Sequence, residues 1–210
     1  MSHPSVQFLF DFGSPNAYLS HKVLPGIAQR CGVEIEYVPV LLGGLFKMTG
    51  NRSPAEAFAG IKNKPEYAAL ETQRFIKRHG LHAYRFNPHF PVNTLQIMRG
   101  AVAAKRLGVF EKYIDAVFAA MWEQGLKMDD PAVIAPVLTS AGLGAEAVMA
   151  ASQNAEVKAE LVANTQAAFD HGAFGSPSFL VGDALYFGKD TLHEVEEEII
   201  RQRTLSKAAG

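Results

Sequence analysis

The chain has 210 residues, 48% of them hydrophobic, enough for one large domain, or a small one carrying an insertion, to bury its core without metal or disulfide. Its 20 basic and 21 acidic side chains leave a formal charge of −1, so no chain-wide cationic field points to nucleic acid or an anionic membrane as partner. The single cysteine, Cys31, can close neither an internal disulfide nor a Cys-x-x-Cys redox pair. Placed before Gly32, it reads as a small hydrophobe at a helix end.

The first residues, MSHPSVQFLFDF, carry no Lys or Arg ahead of the apolar run, and Asp11 interrupts that run, which argues against a signal peptide. No window approaches the ~20 apolar residues of a membrane span. A cytoplasmic protein without membrane or nucleic-acid partners is expected.

Residues 6–12 read as a strand, followed by a helix over 15–30 whose Leu19, Val23, Leu24, Ile27 and Ala28 recur at helical spacing. Gly32 ends that helix, and 33–40 (VEIEYVPV) alternates as a second strand, so the unit predicts a parallel crossover. LLGGLFKMTGNRSPAE reads as a glycine-bearing loop closed by a helix start at Ser53, Pro54 and Glu56. One long helix is expected over 54–79, loosened near Pro65, then a loop rich in proline and aromatics, LHAYRFNPHFPVN.

From there to Gly172 the pattern is almost wholly helical. Asn93 or Thr94 caps a helix closed by Gly108, a second runs to about Gly125, and Asp130–Pro131 starts a third. Alanine-rich segments fill 145–171, with a break near Asn154. Beyond it, 177–181 and 184–187 read as strands joined by Gly182–Asp183, before an amphipathic helix over 191–203. The order βαβ, helices, ββα predicts an α/β sheet domain formed by 1–53 and 172–210, interrupted by an all-helical insertion over 54–171.

Two segments carry the chemistry. In FDFGSPNAYL (10–19) a strand meets a helix where a thiol-disulfide enzyme places Cys-x-x-Cys, but the four residues are Ser14, Pro15, Asn16 and Ala17. Serine followed by proline is also a favourable helix start, so Ser14 reads equally as an N-cap. In GAFGSPSFLVGDALYFGKD (172–190) a proline opens a strand that leads into a hairpin and a helix. That is the place of a thioredoxin-type cis-proline, whose neighbour turns its backbone outward to pair with an extended peptide. A trans proline at a strand edge is the alternative. Asp190 alone reads also as the N-cap of the last helix.

Taken in order, FDFGSPNAYL, GLFKMTGNRSP, FNPHFPVNT and FGSPSFLVG…YFGKD resemble the 2-hydroxychromene-2-carboxylate isomerases. These are glutathione-dependent relatives of kappa-class glutathione transferases and DsbA-like proteins. The resemblance implies a thioredoxin-like α/β domain with an all-helical insertion, glutathione as cofactor, a small aromatic substrate and a homodimer. It makes Ser14 the catalytic serine, which donates a hydrogen bond to the glutathione sulfur at the positive end of a helix and so favours the thiolate.

By the same resemblance Ser176 pairs its backbone with that of glutathione, and Phe187, Gly188, Lys189 and Asp190 grip the γ-glutamyl end. Lys47 and Asn51 match a loop that reaches glutathione or the substrate carboxylate. Phe90 stands where some members carry a tyrosine facing the substrate, keeping the stacking surface without the hydroxyl. Ser176 replaces a commoner small apolar residue, and Lys189 stands where small polar residues are frequent.

The implied reaction interconverts 2-hydroxychromene-2-carboxylate and trans-o-hydroxybenzylidenepyruvate. A kappa-like transferase or peroxidase, and a non-catalytic glutathione- or peptide-binding module, are the rival readings. No metal is expected, because His79 and His82 straddle a helix end with no third ligand placed. His89 reads as pocket lining or as an exposed loop residue, and Trp122 as core. An aspartate at position 14 is expected to cap the helix, and so to melt no lower than an alanine there.

Overall fold

The computed structural model describes residues 5–208. A four-stranded sheet in the order β2-β1-β3-β4 organises it. The strands are β1 (Val6–Phe10), β2 (Glu36–Pro39), β3 (Ser178–Val181) and β4 (Ala184–Phe187). β1 runs parallel to β2, across the helix α1 (Pro15–Cys31), and antiparallel to β3, which pairs antiparallel with β4. The outer strands come from the two ends of the chain, and the helices α2 (Leu42–Thr49), α3 (Pro54–Ala57), α4 (Lys64–His79), α5 (Leu95–Arg106), α6 (Phe110–Trp122), α7 (Pro131–Ser140), α8 (Ala145–Ala151) and α9 (Ala155–Asp170) lie between them in sequence. A 3-10 turn, Lys189–Thr191, leads into α10 (Leu192–Ala208).

As the central strand, β1 is buried on both faces, and its alternating side chains feed two cores. Val6, Phe8 and Phe10, with Phe12 beyond the strand, join α1, α5, α6 and α10 on one face. Leu9 joins Val40, Leu45 and Ala168 on the other. Phe8 stacks on its cross-strand partner Phe179 at 5.4 Å, and Phe12 meets Phe118 of α6 edge-on at 4.7 Å. The larger of these cores therefore continues from the sheet into the helical segment. Cys31 is buried in the last turn of α1, and Trp122 is buried with its indole N–H donating to the Phe12 carbonyl at 2.8 Å.

Two predicted elements differ in kind. The loop expected over the Leu-Leu-Gly-Gly segment is the helix α2. Its own N-cap residue, Leu41, offers no side-chain acceptor, but the Leu42 N–H donates to the Asp11 carboxylate at 2.8 Å. The cap comes from 31 residues earlier, where local sequence gives no sign of it, and Leu45 then anchors the helix in the second core. The single helix expected over 54–79 is instead α3, one turn capped by Ser53, and α4, separated by a break at which Asn63 adopts a left-handed φ of 68°. α4 buries only Phe75, so no apolar face extends the helix back through the break. β2 is shorter than 33–40, and Asn93 Oδ1 accepts the Leu95 N–H while Thr94 supplies no side-chain cap to α5.

Asp11 fixes the turn after β1 and the start of α2. It is fully buried; Oδ1 accepts from Gly13 N–H at 2.8 Å and Oδ2 from Leu42 N–H at 2.8 Å. Burial raises its pKa, and these hydrogen bonds only partly offset that. Asp11→Ala leaves two part-buried donors unpaired, at roughly 1–3 kcal/mol each. We expect urea unfolding of the variant to show a loss of that size with an unchanged m-value, and an effect below about 0.5 kcal/mol would contradict the account, since surface-like substitutions stay within that limit.

Candidate active site

Ser14 ends the turn after β1 and begins α1. Its backbone is extended, its Oγ accepts the Ala17 N–H at 3.2 Å, and Pro15 occupies the first turn. Serine caps in this way because its short hydroxyl reaches the donors the helix leaves unpaired. The hydroxyl hydrogen points elsewhere: Ser14 Oγ donates to the Ser176 carbonyl at 2.8 Å. The side chain of Ser176 returns the contact, its Oγ accepting the Asp11 N–H at 3.0 Å. Both serines are buried, Ser14 at 5% and Ser176 at 8% exposure. The first turn of α1 carries no acidic residue, so its partial positive charge is not opposed there.

The Ser176–Pro177 peptide bond is cis, as expected from the sequence, and so is Phe90–Pro91. The Pro177 carbonyl accepts the Gly188 N–H at 3.0 Å, which draws the 187–190 turn against the 174–177 loop. Gly175 permits that approach, because a Cβ there would lie 2.7 Å from the Phe187 ring. Phe174 and Phe187, both partly exposed, pack their rings at 4.5 Å. Asn51 joins the same loop through Nδ2, which donates to the Phe174 carbonyl at 3.0 Å.

Lys189 lies differently from a cation that grips a ligand. It is 1% exposed, and its ammonium contacts both Glu71 oxygens at 2.6 Å and the two Asp190 oxygens at 2.9 and 3.0 Å. Its ammonium also sits 5.1 Å over the Phe75 ring. Desolvation raises the pKa of Glu71. Desolvation acts on Asp190 as well, but the Lys189 ammonium, donating to both of its oxygens, helps to hold that carboxyl below its usual range. Asp190 is part of the 3-10 turn, 64% exposed by side chain, with its carboxylate on the lysine.

The other expected residues are more scattered. Lys47 is exposed in the last turn of the helix α2, not in a loop. Phe90 is half-buried among Phe86 at 5.2 Å and Trp122 at 6.2 Å, and through Trp122 it borders the Phe12 turn. His89 and His82 are exposed, and His79 packs its ring 4.4 Å from Phe75. No metal-ligand cluster of three side chains occurs among the described residues. A cavity of about 440 Å³, bounded by His21, Pro25, Tyr37, Lys105, Phe110 and Asp115, lies along α1 and shares no lining residue with the Ser14 surroundings.

Two residues of this region escape a reading of the sequence. Asp11 shows there only as a carboxylate inside an aromatic strand, FLFDF, and such a placement signals a buried acceptor. Glu71 has no signal, since only the fold brings it to Lys189, 118 residues away.

A strand-turn-helix junction facing a cis-proline loop across a four-stranded mixed sheet defines a thioredoxin-like protein. The DSBA-like thioredoxin domain matches residues 5–200, and the chain belongs to that family. A 2-hydroxychromene-2-carboxylate isomerase of Pseudomonas putida is 28% identical over 203 residues, spanning 93% of this chain and 94% of the relative. The glutathione S-transferase kappa 1 of Homo sapiens is 25% identical over 187 residues, 82% of this chain and 79% of the relative. A solved 2-hydroxychromene-2-carboxylate isomerase superposes with a TM-score of 0.82 at 25% identity over 98% of both chains.

The donor role of Ser14 reverses one expectation. An aspartate at 14 caps well in isolation, but here it would bring a carboxylate against the Ser176 carbonyl in a buried site. Ser14→Asp is therefore expected to melt below Ser14→Ala. Equal melting temperatures would mean that the bond to Ser176 contributes little.

Proposed function

We propose that the protein is a glutathione-dependent isomerase that interconverts 2-hydroxychromene-2-carboxylate and trans-o-hydroxybenzylidenepyruvate, or a close analogue, in aromatic catabolism. The observation that carries this reading is a serine, in place of a redox cysteine, at the N-terminus of the 17-residue α1 and in direct contact with Ser176. Similarity to the Pseudomonas putida isomerase over 93% of the chain supports the reaction class. A homodimer in the cytoplasm belongs to the same proposal; among the described residues no helix is long and apolar enough to cross a membrane.

The donor set fits glutathione. A hydroxyl and an unopposed helix N-terminus suit a thiolate, an ionised Asp190 suits an ammonium, and the Ser176 backbone suits an extended peptide. Glutathione, when bound, supplies a nucleophilic thiol that can add reversibly to a conjugated double bond. Ser14 turns its hydroxyl from the Ser176 carbonyl to donate toward the sulfur position, and the N–H end of α1 favours negative charge there. Phe174 and Phe187 form an apolar wall beside the Ser176 loop. Phe90, with Phe86 and Trp122, offers an aromatic surface for the substrate ring. Lys47 and Asn51, both exposed, are proposed to meet the substrate carboxylate.

The similarity to the human kappa transferase favours a second reading, in which glutathione ends up in the product. A spectrophotometric assay with and without reduced glutathione separates the two. Isomer formation that requires glutathione while its concentration stays constant supports the proposal, whereas accumulation of a conjugate selects transfer. Ser14→Ala is expected to lower the isomerisation rate roughly 10–100-fold, the equivalent of one lost charge-assisted hydrogen bond. By calorimetry, a folded Asp190→Asn variant is expected to bind glutathione about 1.5–3 kcal/mol more weakly; unchanged affinity would remove Asp190 from the ligand site.

A further inference from the structure

The cluster around Lys189 has an unequal charge count. Two carboxylates, Glu71 and Asp190, face one ammonium within 3.0 Å, so the group carries one surplus negative charge. The lysine is buried while Asp190 is 64% exposed by side chain, which directs the surplus toward solvent at Asp190. Glu71 is fixed by α4, whose only buried residue, Phe75, lies one turn further along the same helix face and under the same ammonium. Arg78 acts on Asp190 through space but forms no ion pair with it among the described residues, and His193 touches only its backbone carbonyl. Without the lysine, the two carboxylates would repel, and without Glu71 the lysine would neutralise Asp190 completely.

We propose that Glu71 and Lys189 are positioning residues of the glutathione site: the buried ammonium joins the two carboxylates, and Glu71 keeps the cluster one negative charge in excess so that Asp190 selects peptides bearing a free α-ammonium. The inference rests on the glutathione reading and goes beyond it. Lys189 is then not a ligand-gripping cation. Glu71, contributed by the helical segment, sets the amine specificity of a site built at the sheet.

Calorimetry on the full chain with two peptides tests this: glutathione and its desamino analogue, glutaryl-cysteinylglycine, which differ only in the ammonium. The parent is expected to prefer glutathione by about tenfold or more, as one charge-assisted contact provides. Glu71→Gln makes the cluster neutral, and the preference is expected to fall within about threefold, less than half the energy of a tenfold step being left. The double variant E71Q/K189M leaves Asp190 as the only charge of the three. Methionine fits the space over Phe75, and the preference is expected to return.

An undiminished preference in a folded Glu71→Gln variant overturns the inference. So does a loss that E71Q/K189M fails to reverse, because Glu71 would then act through packing and not through charge. Equal affinity of the parent for the two peptides overturns the inference alone, whereas no binding of either overturns the glutathione reading and the inference with it.

Discussion

Much of the site hangs from the buried carboxylate of Asp11. It closes the turn after β1 through Gly13 and caps α2 through Leu42, while the backbone N–H of the same residue donates to the Ser176 hydroxyl. Three segments distant in sequence therefore meet at one residue at the end of the central strand. Ser14, three residues on, inherits its position from that turn, whose geometry is closed by the Ser14 N–H donating to the Asp11 carbonyl at 3.1 Å. A charged or polar group in this position is costly to bury. It is tolerated because the carboxylate accepts from backbone donors that would otherwise be unpaired.

The protein buries charge in two ways. Asp11 is surrounded by neutral donors, and burial raises its pKa despite them. Lys189 is instead paired with two carboxylates and lies over the Phe75 ring. The first solution orders backbone and the second orders side chains across two segments. The two lie on opposite sides of the Ser176–Pro177 loop in the hydrogen-bond network: Asp11 contacts Ser176 directly, while the Lys189 turn begins after Gly188, which donates to the Pro177 carbonyl.

In this member of the DSBA-like family a serine, not a cysteine, stands at the head of α1. Residues 14–17 hold no cysteine, and the single cysteine of the sequence, Cys31, is buried in the last turn of α1 at the far end of that helix. The helix N-terminus still favours an anion there. The fold alone does not fix the chemistry at this junction; the residue at position 14 does.

Residues close in sequence were the legible ones. The alternation of FLFDF, the Ser-Pro start of α1, the Gly182 hairpin and the proline of FGSPSF each carry local physics that predicts their element, and together they outline the sheet and its junction with α1. The contact between Ser14 and Ser176 was implied by that outline but not its direction, in which the serine hydroxyl donates to the opposing carbonyl. Tertiary structure alone decided the rest. α2 forms over a glycine pair because its cap is a side chain of β1's turn and its anchor is a second core. The buried Lys189 is paired with Glu71, supplied by a helix whose one buried residue is Phe75. Local sequence encodes backbone preference, whereas the partner of a buried charge is chosen by whichever distant segment the fold brings within hydrogen-bonding reach, and no spacing along the chain announces it.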